Sequence, residues 1–180
     1  MRLALLFNIG KGIALTGFEL NEVKPLILGL EAKCHNPQNV LKEILSWTGG
    51  QPLLTQLTCQ LIRDSDMFIS SGSEAEIIQD LIQTQVVNRW NYQDNAEHFK
   101  AVRDRLIYTY LSPQNLLLKY QKILHKGEIA VDDSAEITEL LLSGLVRNCE
   151  GKLRIYNRIY QNIFNEEWVT QSLKYLAQSK

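Results

Sequence analysis

The sequence predicts a mostly α-helical protein, in which a helical bundle precedes a winged-helix domain with a small β-hairpin. Three observations support this fold class. Helix start and stop signals follow one another through the first two thirds of the chain. Short strand patterns around a single helix then take over, with a turn typical of a hairpin at residues 149–151. The composition, 45% hydrophobic and 22% charged, is ordinary for a globular protein with a packed core.

Six helices are predicted in succession before residue 128. Their predicted starts lie at residues 21, 36, 52, 73, 94 and 112, and each helix carries apolar residues at helical spacing. Asn36-Pro37 and Ser112-Pro113 combine an N-cap residue with a proline in the first turn. Ser73 with Glu76 is interpreted as a capping box, opening a helix whose apolar residues recur in steps of four up to Trp90.

The last third of the chain predicts the winged helix. Residues 129–131 form a short strand candidate, and residues 133–143 form a helix that ends before Gly144. Residues 145–148 and 152–156 are the two strands of the hairpin, and Asn157 caps a closing helical segment. We place the domain boundary near residues 111–112.

Charge and cysteine usage exclude several classes of protein. The net charge of −1 creates no field that would attract nucleic acid or an anionic membrane. The three cysteines are widely spread and give neither a metal-binding spacing nor a disulfide framework. Neither a signal peptide nor a membrane-spanning segment is expected. These features predict a cytoplasmic protein without membrane association.

Catalytic and metal-binding patterns are absent from the sequence. The Gly10-Lys11-Gly12 cluster lacks the spacing and the hydroxyl of the phosphate-binding G-x-x-x-x-G-K-S/T loop. Adjacent Cys34 and His35 are a weak candidate for a nucleophile and base, because neighbouring side chains point in different directions. We interpret His98, in a first helical turn, as a surface group. No catalytic residue and no metal site are predicted.

The predicted winged helix raises the question of DNA binding. Residues 133–143 would form the helix that enters the major groove, yet they are acidic and contain no lysine or arginine. Phosphate contacts supply most protein–DNA affinity, so such a helix would be repelled. Arg147, Lys152 and Arg154 on the hairpin offer little compensation. The sequence therefore argues against DNA binding, which is kept only as an alternative.

Several motifs together resemble one known family. Residues 47–56, WTGGQPLLTQ, resemble the W-T-G-G-Q-P-F-L-T-Q signature of the AAA-like domain family found in bacterial signalling ATPases of the STAND type. The other matches keep the family's order and cover nearly the whole chain: FNIG at 7–10, Trp90 with Gln93, Asp94 and His98, RDRL at 103–106, LSGLV at 142–146, and YNRIYQ at 156–161.

The resemblance implies a nucleotide switch built from a P-loop core, a helical lid and a winged helix. This chain resembles only the C-terminal half. Residues 1–18 would be a remnant of the last strand region of the core, residues 19–111 a helical lid-type bundle, and residues 112–180 the winged-helix-like domain. The Walker A and Walker B segments would lie before Met1, so the chain is not expected to be an enzyme. ATP or ADP would bind only with a separate P-loop core.

The family's glycine–x–proline turn identifies candidate nucleotide-contacting residues. In related switches this turn lies against the nucleotide base, and here it corresponds to Gly50, Gln51 and Pro52. A glycine allows close backbone approach, and a proline fixes the angle of the turn. An ordinary helix–helix turn explains the same residues equally well.

The resulting hypothesis is regulatory. The chain would be the lid and winged-helix portion of a truncated or split AAA-like signalling ATPase, docking onto a protein partner or onto the missing ATPase core. A free-standing helical interaction module is the first alternative, and a winged-helix DNA-binding regulator is the second. Apolar residues left uncovered by the absent core make self-association possible.

Overall fold

The computed structural model describes residues 17–92 and 96–178 of the chain. The remnant strand predicted at residues 1–18 therefore lies outside the described residues, apart from Gly17 and Phe18. The same holds for the Gly10-Lys11-Gly12 cluster, the match at residues 7–10, and the Gln93-Asp94 pair with its predicted cap. The described residues are mostly helical and contain a small three-stranded antiparallel sheet.

The first half of the chain is a helical bundle. A 3-10 helix stands where a helix over residues 21–30 was predicted. The elements are the 3-10 helix Lys24–Gly29, α1 (Pro37–Thr48), α2 (Pro52–Asp64), α3 (Glu74–Ile82), a π-helical turn Gln83–Val87, and α4 (Ala96–Ile107). The predicted helix that opens near Ser73 thus changes to π geometry after Ile82, and Trp90 lies in the following turn rather than in the helix.

Capping residues explain most of these helix starts. The Asn36 side chain accepts a hydrogen bond from the Asn39 N–H, with Pro37 opening α1, as predicted. The capping box at Ser73 was wrong. The Ser73 side chain makes no capping bond; its hydroxyl instead donates to the carbonyl of Ser70, 2.8 Å away, within the preceding turn.

The second half of the chain wraps a small sheet with helices. Its elements are α5 (Pro113–Lys126), β1 (Ile129–Ala130), α6 (Ala135–Leu142), β2 (Val146–Cys149), β3 (Lys152–Ile155), α7 (Arg158–Ile163) and α8 (Glu166–Gln178). The strand order is β1-β3-β2, and all pairs are antiparallel. Glu150 and Gly151 form the two-residue turn between β2 and β3, both with the positive φ that such hairpin turns favour.

One hydrophobic core runs through both halves of the chain. In the first half it contains the inner face of α1, where Val40, Leu41 and Ile44 are fully buried. In the second half it contains the inner face of α5, including Leu116 and Tyr120. Helix α7 packs on α1 and on the π-helical turn, so the C-terminal elements contact the bundle directly.

An ion pair also joins the two halves. The Arg105 Nε on α4 donates to the Glu139 Oε1 on α6, at 2.6 Å, and Glu139 is buried with only 6% of its side chain exposed. The predicted domain boundary near residues 111–112 lies in the short connection between α4 and α5, so this ion pair crosses it. In the part of the chain that the structure describes, no helix is both long and apolar enough to span a bilayer.

Two buried tyrosines offer a matched test of this core. Tyr120→Phe should leave the free energy of unfolding unchanged or raise it by up to about 1 kcal/mol, because the buried Tyr120 hydroxyl has no hydrogen-bond partner among the described residues. Tyr160→Phe should lower it by about 1–2 kcal/mol, because the Tyr160 hydroxyl is bonded to His98 at 2.6 Å. Urea denaturation measures both, and an equal loss for the two variants would contradict this packing.

Candidate functional site

The connection between α1 and α2, residues 49–52, is the centre of the candidate site and is called the glycine turn below. Gly49 ends α1 in the left-handed conformation, with φ of 59°, and Gly50 also has a positive φ, 77°. The Gln51 Oε1 then accepts from the Leu54 N–H at 2.7 Å, and Pro52 occupies the first position of α2. The sequence Gly-Gly-Gln-Pro therefore ends one helix and starts the next within four residues.

Two buried threonines hold the glycine turn from inside. The hydroxyls of Thr48 and Thr55 are hydrogen-bonded at 2.9 Å, and both residues are fully buried. The Gly50 N–H donates to the Thr48 hydroxyl at 3.3 Å, and the Gln51 N–H donates to the Thr48 carbonyl at 3.0 Å. These bonds satisfy the polar groups that a buried turn would otherwise leave unpaired.

Residues 17 and 18 lie directly against one side of the glycine turn. The Phe18 N–H donates to the Gly50 carbonyl at 2.7 Å. A Cβ added to Gly50 would stand 2.3 Å from the Phe18 carbonyl oxygen, and one added to Gly17 would stand 2.5 Å from the Gly49 carbonyl oxygen. The two backbones therefore touch without side chains between them, which only glycine permits.

The start of α7 lies against the glycine turn as well. A Cβ on Gly49 would meet the Tyr156 carbonyl oxygen at 2.9 Å and the Asn157 Cβ at 3.2 Å. The Arg158 guanidinium carbon stands 3.8 Å from the centroid of the Trp47 ring, a cation–π stack. Segments near residues 17, 49 and 157 thus meet at one place, although they are far apart in sequence.

The structure places the three candidate nucleotide-contacting residues in different surroundings. Gly50 is buried, and the backbone of residues 17–18 already fills the space that its missing side chain leaves. Gln51 is half-buried, and its side-chain oxygen caps α2. Pro52 is exposed. Their contact with a nucleotide stays a prediction, in which Pro52 offers the most accessible surface.

A hydrogen bond that the sequence did not reveal joins α4 to α7. His98 Nε2 and the Tyr160 hydroxyl are 2.6 Å apart, and His98 is half-buried rather than the surface group that we expected. Burial lowers the pKa of His98 below its ordinary value of 6.5. Helical spacing could not show this contact, because the two residues are 62 positions apart. Both, however, lie within motifs of the family resemblance.

Aromatic side chains surround this hydrogen bond. The rings of Phe99 and Phe164 lie near the Tyr160 ring, with centroids 6.3 and 6.4 Å away, and Trp168 packs edge-on against Phe164 at 4.9 Å. Most of these rings are in the tilted or edge-to-face arrangements that aromatic pairs favour. They fix α7 and α8 against α4 and so fix the position of residues 156–158.

The cysteines do not have the surroundings of reactive thiols. Burial raises the pKa of Cys59 to about 11 and also raises the pKa of Cys34. Both are thus protonated at neutral pH, the form that does not act as a nucleophile. The ring of His35 packs edge-on against Phe68, with centroids 4.8 Å apart. Across residues 17–92 and 96–178, no group of three or more His, Cys, Asp or Glu side chains is arranged to hold a metal ion.

The cations on the hairpin each contact another group of this chain. Lys152 and Arg154 both pair with Glu128, which precedes β1. The Arg147 guanidinium lies over the Tyr156 ring, 5.6 Å from its centroid. The exposed residues of α6, among them Leu142 and Thr138, include no cation. The three basic side chains of the hairpin are therefore engaged with other groups of this chain.

The fold is mostly helical with a small antiparallel sheet, and the candidate site consists of backbone contacts between distant segments. The chain belongs to the AAA-like domain family, because the model of that family matches residues 4–166.

The chain is also similar to a longer protein of Synechocystis. That relative is described as an uncharacterized WD repeat-containing protein and is 45% identical over 174 residues. The match covers 94% of this chain but spans only 15% of the relative's length. No solved structure matches the chain with significance.

Two glycines with the same φ allow the contact at the glycine turn to be tested. Gly50→Ala should lower the free energy of unfolding by at least about 3 kcal/mol, because it adds a backbone clash to the strain of a positive φ. Gly127→Ala should cost about 1 kcal/mol, because its φ is also 77° but a Cβ there meets nothing within 4 Å. Thermal or urea unfolding compares them. Equal costs would show that residues 17–18 do not lie against the turn.

The His98–Tyr160 contact predicts a pH dependence of stability. Because the folded-state pKa of His98 is lowered, the unfolded chain takes up the proton first as the pH falls. The stabilisation is complete above pH 6.5 and is lost as the pH drops from 6.5 through the lower folded-state pKa. His98→Gln should therefore lose less stability than the wild type between about pH 7.5 and about pH 5.5 in urea denaturation. The two proteins are otherwise identical, so the difference between them reports the substitution alone. A pH dependence unchanged by His98→Gln would contradict this assignment.

Proposed function

We propose that this chain is the regulatory lid and winged-helix portion of an AAA-like signalling ATPase of the STAND type. It acts by docking, onto a P-loop core and within a larger signalling protein, and catalyses nothing by itself. The observation that carries the proposal is that three segments of the chain meet at the glycine turn. The turn touches residues 17–18 on one side and residues 156–158 on the other, so it lies between the segment that would lead from a core and the C-terminal elements.

The order of elements after residue 112 supports the winged-helix part of the proposal. Helix α5, β1, α6 and the β2–β3 hairpin follow each other as helix, strand, helix and hairpin, with β3 in the middle of the sheet. In this interpretation α6 is the second helix of the winged helix and the β2–β3 turn is the wing.

The proposed nucleotide contact is partial and belongs to the outer side of the glycine turn. Pro52 and Leu53 are exposed there, at the start of α2, whereas Gly50 is covered by residues 17–18. An exposed proline and leucine suit the apolar face of a nucleotide base better than they suit its phosphates. The phosphates and magnesium would be held by a P-loop core. This chain would therefore sense ATP or ADP without binding either one tightly.

The description and the length of the Synechocystis relative suggest the kind of larger protein in which this chain would act. The Synechocystis protein is named for WD repeats, and this chain matches 15% of its length. We propose that the present chain likewise regulates a protein whose other parts make protein–protein contacts. We also propose a cytoplasmic location.

DNA binding is the weaker alternative. Glu128 pairs with both Lys152 and Arg154 on the proposed wing, and Glu136 lies in the first turn of α6. These charges favour a protein surface over a phosphate backbone. Tight, salt-sensitive binding of the chain to duplex DNA would support the alternative instead.

The first test is whether the chain needs a P-loop core. The purified chain alone should hydrolyse no ATP and should show no saturable shift in melting temperature with magnesium ATP or ADP. Mixed with a P-loop core polypeptide from the same genome, it should bind that core, and its apparent affinity should differ between ATP and ADP. Analytical ultracentrifugation with fluorescent nucleotide measures both. ATP turnover by the chain alone, or nucleotide-independent binding to the core, would overturn the proposal.

A proline pair tests the contact of the turn itself. Pro52→Ala should weaken the nucleotide-dependent binding of the core about threefold to tenfold, because it loosens the turn and removes apolar surface. Pro113→Ala is the control, since it changes the corresponding position of α5, which the glycine turn does not touch. Equal effects of the two variants would assign the loss to helix stability rather than to the turn.

A further inference from the structure

Arg158 occupies an unusual position for an exposed cation. Its guanidinium carbon stands 3.8 Å from the centroid of the Trp47 ring, and Trp47 itself is only 4% exposed. Within the described ranges of the chain, no carboxylate forms an ion pair with Arg158, whereas Arg103, Arg105 and Arg154 each pair with an acid. The stack on Trp47 is therefore the contact that fixes this side chain.

The residues beside Arg158 are held just as closely. The Asn157 Oδ1 accepts from the Tyr160 N–H at 2.8 Å, which ties residue 157 to the first turn of α7. The Tyr156 N–H donates to the Leu145 carbonyl at 2.9 Å, which ties residue 156 to the start of the hairpin. Residues 156–158 are therefore tied to the C-terminal elements as well as lying against the glycine turn.

These same residues meet the N-terminal end of the glycine turn. Arg158 covers Trp47, which precedes the turn on α1, and the Tyr156 carbonyl closes on Gly49. The Tyr156 hydroxyl would also stand 2.8 Å from a Cβ on Gly17, so the ring reaches the segment on the far side of the turn. We call residues 156–158 the clamp.

We propose that Arg158 is a positioning residue, and that its stack on Trp47 holds the clamp against the glycine turn. The orientation of the C-terminal elements relative to α1 then determines the position of the glycine turn. This inference rests on the proposed function and adds a regulatory route to it. A partner that moves the C-terminal elements away from α1 separates Arg158 from Trp47. The glycine turn is then no longer held in the position in which it contacts the nucleotide.

The chemistry of the stack suits a contact that must open. A cation–π pair with an exposed guanidinium is weaker than a buried ion pair, and opening it returns the cation to water rather than leaving a buried charge. The planar guanidinium covers the indole face, which a lysine ammonium does only in part. A partner can shift the protein from the closed to the open state only if it binds the open state more tightly, and that difference must exceed the free energy of the closing contact.

The clamp is tested first in the chain alone, by amide hydrogen exchange. The N–H groups of Gly50, Gln51 and Leu54 are hydrogen-bonded within the turn, so their exchange reports its opening. Arg158→Ala should speed their exchange about threefold to tenfold, and Arg158→Lys should restore part of the protection. The control is Arg89→Ala, which removes an exposed arginine whose guanidinium donates to the Gln85 Oε1 on the π-helical turn.

The regulatory step is tested with the P-loop core and nucleotide present. Arg158→Ala should reduce the difference between the ATP and ADP states in core binding, and Arg89→Ala should leave that difference unchanged. Trp47→Leu combined with Arg158→Ala should add little to either single change, because both substitutions remove the same stack.

Each outcome decides a separate point. Exchange at the turn that is equal in Arg158→Ala and Arg89→Ala would overturn the clamp, whatever the nucleotide does. Faster exchange with an unchanged nucleotide response would overturn the regulatory role of Arg158. A wild-type chain without any nucleotide response would overturn the proposed function, while the exchange measurement would still decide whether the clamp exists.

Discussion

The close approach of three backbone segments at Gly49 and Gly50 is the constraint on which the rest of the structure depends. Helix α1 ends and α2 begins within four residues, and Gly49 and Gly50 of this connection lie between residues 17–18 and the start of α7. A side chain on either glycine would separate these layers, because the neighbouring atoms are carbonyl oxygens and backbone that cannot rotate away. Thr48 and Thr55 supply the polar partners that such a buried reversal requires. The fold therefore has little freedom at this point, whereas a Cβ added at Gly29, Gly72, Gly127, Gly144 or Gly151 would meet nothing within 4 Å.

The remaining contacts between the two halves of the chain can be understood from this constraint. Once the start of α7 lies against the turn, Arg158 reaches Trp47, and the first turn of α7 carries Tyr160 towards His98. The aromatic cluster around Tyr160 then fills the space between α4, α7 and α8. One close contact thus orients a larger surface, and that surface buries the apolar area that stabilises it. Packing contacts alone therefore connect segments of the chain that are far apart in sequence.

Sequence patterns anticipated the elements better than they anticipated the contacts. The caps at Asn36, Ser112 and Asn157 were predicted correctly, because an N-cap bond is local and its partner lies three residues away. The Ser73 cap failed because a preceding turn competed for the same hydroxyl, and steps of four could not distinguish an α-helix from the π-helical turn at residues 83–87. The His98–Tyr160 bond and the approach of residue 17 join positions that are far apart in sequence, and no periodicity encodes them. The winged helix, the domain boundary and the roles of Gly50, Gln51 and Pro52 stay predictions.

The ion pair between Arg105 and Glu139 has a consequence for how such chains can be recombined. Glu139 is almost wholly buried, and its guanidinium partner comes from the other side of the short connection at residues 108–112. Joining the C-terminal elements to an unrelated bundle would leave a carboxylate without a counter-ion in the protein interior, which is costly. Gene fusion and domain shuffling should therefore transfer both halves together.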